Sequence, residues 1–116
     1  FYYFIILLLY FYNNNINFIA NNLYIYIIMN NYLAEFLGTA FFVYIILVTG
    51  NPIAIGAALA LAILITSTIS GGHINPAVSI VMASAGKLPA NELIPYCLAQ
   101  IFGGLVALEL YKRYKL

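Results

Sequence analysis

Polar residues are scarce along this chain and fall in a few places. From Leu33 to about Thr49 the sequence is apolar apart from Glu35, and Gly50, Asn51 and Pro52 then supply a turn. A second apolar run, rich in Ala and Leu, extends from Ile53 to about Ile69 and meets the breakers Gly71 and Gly72. A third extends from about Asn91 to Tyr111, after a break at Gly86, Lys87, Leu88 and Pro89. The pattern predicts helices over residues 33–49, 53–69 and 91–111, each about as long as a hydrocarbon slab of roughly 30 Å demands.

Between the second and third runs lies a shorter unit. Asn75 is a good N-cap, Pro76 suits the first position of a helix, and Gly86 suits its end. The helix predicted over 76–85 rises about 1.5 Å per residue and so reaches roughly half-way through the slab. It dips in without crossing. Residues 71–74 then stay extended near the membrane midplane, where non-helical backbone is tolerated only when it is buried in protein or lines a watery cavity. The fold class is an all-α membrane protein of three transmembrane helices and one re-entrant half-helix.

Small residues at helical spacing indicate how these helices meet, because lipid offers no hydrophobic drive and close backbone approach takes its place. Glu35, Gly38, Thr39 and Phe42 share one face of the first helix, and Gly56 and Ala60 share one on the second. Gln100, Gly103, Gly104 and Ala107 recur at i, i+3, i+4 and i+7 on the third. These stripes are expected to face protein.

Composition supports the reading: 66% of the 116 residues are hydrophobic and 6% charged, against about a quarter charged in a soluble domain. The lipid bilayer is therefore the solvent, and the chain is read as a multi-pass integral membrane protein. A net charge of +1 without a long basic run is too small to suggest nucleic acid as a partner. Cys97 stands alone, and no cluster of ligand residues suggests a metal or other cofactor. The sequence offers no nucleophile–base pair and no phosphate-binding loop, so an enzyme is not expected.

Residues 1–28 differ from the rest. Every one except Ala20 is Phe, Tyr, Ile, Leu or Asn, and the first methionine is Met29. This segment reads as upstream translation or an unprocessed leader, with residues 29–116 as the functional repeat. The competing reading is a true membrane segment, against which Phe1 to Tyr12 is short and Asn13 to Asn15 interrupt it.

The unit around Asn75 carries the chemistry. Backbone carbonyls of Gly71, Gly72, His73 and Ile74 would form a ladder of acceptors, and the positive end of the short helix points at the same place. The Asn75 amide, its oxygen engaged in capping, can offer its NH2 to a passing oxygen. Such a site suits water or another small neutral, hydroxylic solute and repels cations. His73 is expected to make a structural hydrogen bond.

At this point the chain resembles the major intrinsic protein family of aquaporins and glycerol channels. The resemblance rests on Ala34, Glu35, Phe36, Leu37, Gly38 and Thr39, on the run Ser70 to Ser79, and on Ala99, Gln100, Ile101, Phe102, Gly103 and Gly104. It implies that Asn75 is the pore asparagine of the first repeat, with Pro76 and Ala77 completing its motif and residues 71–74 lining the path. It also implies that Glu35 braces the re-entrant loop, with Gly38, Gln100 and Gly103 in the supporting framework. Ile55 matches the second-helix member of the family's narrowest ring, usually aromatic in water-selective members, so a water-only label does not carry over.

The family has two such repeats in opposite orientation, and this chain has one. The second Asn-Pro-Ala and the arginine that follows it have no counterpart. The polar tail Tyr111, Lys112, Arg113, Tyr114, Lys115, Leu116 reads like a natural terminus, which favours a single-repeat protein that works as a homo-oligomer, with antiparallel pairs recreating the pore. Family topology sets Lys112, Arg113 and Lys115 outside, against the positive-inside tendency. The function expected is a passive channel for water or small uncharged solutes such as glycerol. The alternatives are a non-conducting membrane interaction protein that keeps the half-channel fold, or a fragment of a two-repeat channel.

Overall fold

The computed structural model describes residues 2–114, the side chain of Phe4 excepted; Phe1, Lys115 and Leu116, which belong to the expected leader and basic tail, lie outside the described residues. The described residues form four α-helices and one 3-10 turn: α1 (Tyr2–Val48), α2 (Pro52–Ser70), α3 (Pro76–Ser84), the turn Ala90–Glu92, and α4 (Leu93–Arg113). Helices α1, α2 and α4 are each long and apolar enough to cross a membrane. This is the all-α architecture of three long helices and one short one that the polar breaks predict.

Local chemistry sets the ends of the elements. Asn51 caps α2, its Oδ1 accepting from Ile53 N at 2.8 Å and Ala54 N at 3.3 Å. Gly71 closes α2 in the left-handed region, φ 91°, with its N–H bonded to Ser67 O. Asn75 caps α3 through Ala77 N at 2.8 Å, and Pro76 follows it at the first helical position.

Helix α1 begins far earlier than residue 33. It runs unbroken for 47 residues, about 70 Å at 1.5 Å per residue, and accounts for the 74 Å length of the molecule. Asn13, Asn14 and Asn15 do not interrupt it. Residues 2–37 contain neither Gly nor Pro, and each Asn costs a helix only about 0.7 kcal/mol relative to Ala. In an apolar setting the backbone gains most by bonding to itself, which is what a helix achieves.

The packed bundle uses only the second half of α1. Every described side chain from Tyr2 to Ile27 is exposed, whereas Ala34, Glu35, Gly38 and Thr39 are buried. Helix α2 runs antiparallel to α1, so that its last residue, Ser70, meets Glu35. With its amide turned to satisfy both of its ends, Asn31 donates to Ile69 O at 2.6 Å and ties the same level together. Helix α4 runs parallel to α1: Tyr96 meets Tyr32 edge-on, Gln100 meets Glu35, and Gly103 lies against the Phe36 carbonyl.

Two of the three expected stripes are buried where helices meet. Gln100, Gly103 and Ala107 are buried on α4, as Glu35, Gly38 and Thr39 are on α1. The stripe on α2 is a correction. Gly56 and Ala60 are exposed, and the buried row is Ala58, Ala62, Thr66 and Ser70. An alanine-rich helix offers several equivalent small faces; the one that wins here carries the hydroxyl that bonds α1.

Candidate functional site

Residues Gly71 to Asn75 cannot follow either helix that flanks them. Three of the five have positive φ: Gly71 at 91°, Gly72 at 63° and Ile74 at 57°. The segment is thus a chain of left-handed turns and not the plain extended strand expected. Glycine accepts this conformation freely, but a β-branched residue does not, and at Ile74 it costs about 1–2 kcal/mol. Something must hold Ile74 there.

Glu35 supplies that hold. Its carboxylate is completely buried and accepts four hydrogen bonds. Oε1 accepts from Ser70 Oγ at 2.6 Å and His73 N at 2.9 Å; Oε2 accepts from Ile74 N at 2.7 Å and Gln100 Nε2 at 2.9 Å. Two of the four donors are consecutive backbone amides of the turn, which no helix satisfies. The Ile74 side chain fills the space left by Gly38, where an added Cβ would collide with Ile74 Cδ1. One carboxylate on α1 therefore fixes the loop's backbone, and one missing methyl beside it admits the loop's only large apolar side chain.

A second layer locks this arrangement to α3 and α4. Gln100 Nε2 also donates to Ser79 Oγ at 2.8 Å, and Ser79 Oγ lies 2.9 Å from His73 Nδ1. Ser79 Oγ thus links the Gln100 amide to the His73 ring through one hydroxyl. Tyr96 OH donates to Ser70 O at 2.7 Å, and its ring lies 5.2 Å from that of His73. Ser70 and Ser79 stand in the sequence pattern only as the ends of the matching run, and Tyr96 does not figure in it. Extending the α4 stripe back one turn from Gln100 would have reached Tyr96, which lies at i−4.

The tip of α3 opens into a cleft of about 280 Å³. Its walls are Thr39, Phe42 and Val43 of α1, Gln100, Ile101 and Gly104 of α4, and Ile74, Asn75 and Pro76. Ile101 and Gly104 lie on either side of Gly103, the middle residue of α4, so the N-terminus of α3 is level with the middle of that helix. Asn75 is exposed there, with Oδ1 committed to the Ala77 amide, so its NH2 is free to face the cleft. Gly72, His73 and Ile74 are buried, whereas Gly71 and Ala77 are exposed. Ile55 is half-buried near the opposite end of α2 and takes no part in this cleft. A larger groove of about 570 Å³ between α1 and α4, bounded by Met29, Phe36 and Phe102, is almost wholly apolar and offers little to orient a polar solute.

No group of three or more His, Cys, Asp or Glu side chains lies close enough to hold a metal ion among the described residues. The donors and acceptors present suit a hydroxylic guest.

The family described as Major intrinsic protein matches residues 22–115. The chain is 42% identical over 88 residues to Glycerol uptake facilitator protein-like 6 of Lactiplantibacillus plantarum, a match covering 68% of this chain and 41% of that protein. It is 42% identical over 89 residues to Aquaporin-8 of Notomys alexis, covering 67% of the chain and 34% of the relative. Aquaporin Z of Brucella melitensis is 39% identical over 94 residues, covering 68% and 41%. The chain thus spans between a third and two fifths of the length of the curated relatives it matches.

Proposed function

The chain belongs to the major intrinsic protein family, and from that premise we propose that it forms one wall of a passive channel for water and small uncharged solutes such as glycerol. Proteins of this family are not enzymes, and the chain is an integral membrane protein. The names of the relatives point to the same solutes: two are aquaporins and one is a glycerol uptake facilitator.

The observation that carries the reading is the tip of α3 at mid-span, with the Asn75 amide exposed at its mouth. The helix N-terminus bears a partial positive charge, which disfavours cations and leaves a neutral hydroxyl compound as the suitable guest. The Asn75 NH2 donates to the solute oxygen, and the carbonyls of residues 71–74 accept from its hydrogens. Glu35 braces the turn, Gly38 and Gly103 allow the helices to close around it, and Gln100 joins the brace to α3. Ile55 lines the path at its far end. Residues 29–116 form the working repeat, and residues 1–28 stand apart from it.

One repeat makes one wall. The facing wall comes from a second repeat of opposite orientation, supplied by an antiparallel copy of the chain in a homo-oligomer. Site-directed labelling of both termini in intact cells tests that arrangement: a single uniform orientation excludes it. Conduction is tested by reconstituting the protein in vesicles and measuring osmotic shrinkage and glycerol uptake. Rates equal to those of empty vesicles would refute the channel reading. Asn75→Asp keeps the helix cap but places a negative charge at the tip of α3; an increased cation leak is expected, and an unchanged leak would count against the electrostatic filter.

A further inference from the structure

Two buried oxygens of the bundle have no hydrogen-bond partner among the described residues: Thr39 Oγ1 and Gln100 Oε1. Their residues are 5% and 1% exposed, and both belong to the wall of the cleft beside the α3 tip. Neither is left over by accident of orientation. Gln100 cannot turn its amide, because Nε2 is held by Glu35 Oε2 and Ser79 Oγ, and reversal would set the amide oxygen against a carboxylate. Its oxygen is therefore committed to the side away from the brace. Thr39 also has an escape that it does not take: Thr66 bonds the carbonyl one turn back, Ala62 O, at 2.7 Å, and Thr39 makes no such bond.

In the hydrocarbon region no bulk water reaches such groups, so a polar atom without a partner is costly there. We propose that Thr39 and Gln100 together hold one resident water molecule. The water donates to Gln100 Oε1 and accepts from the Thr39 hydroxyl, which satisfies both oxygens at once. The adjoining cleft, at about 280 Å³, provides room beyond the roughly 30 Å³ that one water occupies in the liquid. A small rotation of the Thr39 side chain toward the cleft admits it. Held by two residues of the cleft wall, this water is a part of the framework and is distinct from the passing solute. Its effect is to lock the far end of the Gln100 amide, whose near end spans Glu35 and Ser79.

The sign of one substitution decides the matter, whether or not the protein conducts. Thr39→Val is nearly isosteric and removes only the hydroxyl. If that hydroxyl were truly unpaired, its removal would raise stability; if it holds a water, its removal lowers stability and strands Gln100 Oε1. The expected result, for purified protein in detergent, is a fall of about 4 °C or more in the unfolding midpoint of Thr39→Val, with Thr39→Ser retaining most of the wild-type value. In the wild type, NMR cross-relaxation with water is expected at the Gln100 side-chain amide, and it should disappear in Thr39→Val. A midpoint equal to or above wild type in Thr39→Val would overturn the proposal. So would a water signal that persists in that variant, or a stability loss that accompanies dissociation of an oligomer, which would assign the two oxygens to a neighbouring copy.

Discussion

The two halves of α1 form one continuous helix of similar apolar character, yet one half builds the protein and the other touches almost nothing. Residues 2–27 hold a single Ala and no Gly, Ser or Thr; residues 28–48 hold Ala34, Gly38, Thr39 and Ala40, with Glu35 among them. Both halves are helical because apolar surroundings reward internal backbone bonding. Only the second half packs, because association in lipid depends on close approach and on polar groups that find partners. Hydropathy makes the helix, and small residues with one buried acid make the fold.

The packed half is broken most severely at Glu35. Glu35→Ala strands the amides of His73 and Ile74, at about 1–3 kcal/mol each, while Ser70 and Gln100 keep partial alternatives in Thr66 O and Ser79 Oγ. Against a total stability of about 5–15 kcal/mol for a typical domain, a loss of roughly 2–6 kcal/mol is enough to free the turn. The expected outcome is loss of a monodisperse peak in size-exclusion chromatography, or a strongly lowered unfolding midpoint. Glu35→Gln retains one acceptor and falls between. The same change in the other half, Asn17→Ala, should leave the midpoint where it is.

This contrast also explains what the sequence made visible. The ends of α2 and the cap of α3 were legible, the first as the turn Gly50–Pro52 and the breaker Gly71, the second as Asn75 with Pro76, because each acts on its immediate neighbours. The start of α1 was not, because runs of Asn mark loops in water, and the rule lapses where the backbone has no solvent to turn to. Glu35, the residues of the turn and Gln100 could be identified as a group, and the structure brings them within hydrogen-bonding distance. The left-handed Ile74 could not be anticipated, since its strain is sustained by a carboxylate 39 residues away. The choice of Ser70 over Gly56 as the face of α2 is likewise a matter of partners, which periodicity alone does not reveal.

Within the packed half, two adjacent glycines sharpen the point. A Cβ on Gly103 would strike the Phe36 carbonyl and crowd Ala40 N at 3.3 Å, and helix backbone cannot yield as a side chain can. Gly103→Ala is expected to destabilise by about 1–3 kcal/mol through separation of α1 and α4. Gly104 differs: its Cβ would meet only Val43 Cγ2, at 3.8 Å. Gly104→Ala should be neutral, or stabilising by up to about 1 kcal/mol through helix propensity. Thermal unfolding of the pair in one detergent measures the difference, and equal midpoints would mean that closeness of the α1–α4 crossing does not hold the bundle together.

The smallest effect is expected from the largest change. A chain starting at Met29 lacks the whole exposed half of α1 yet keeps Asn31, Tyr32 and Glu35, the contacts that join α1 to α2 and α4. Its remaining 20 residues of α1, Met29 to Val48, still span about 30 Å. Nothing that holds the turn, the cleft or the helix crossings is removed, so the unfolding midpoint should stay within a degree or two of the full chain. Circular dichroism should show a loss of helix confined to the deleted residues. A marked fall in stability would mean that residues 2–27 find a partner in the membrane that the isolated chain does not provide, and the division of α1 into a working half and a bare half would have to be abandoned.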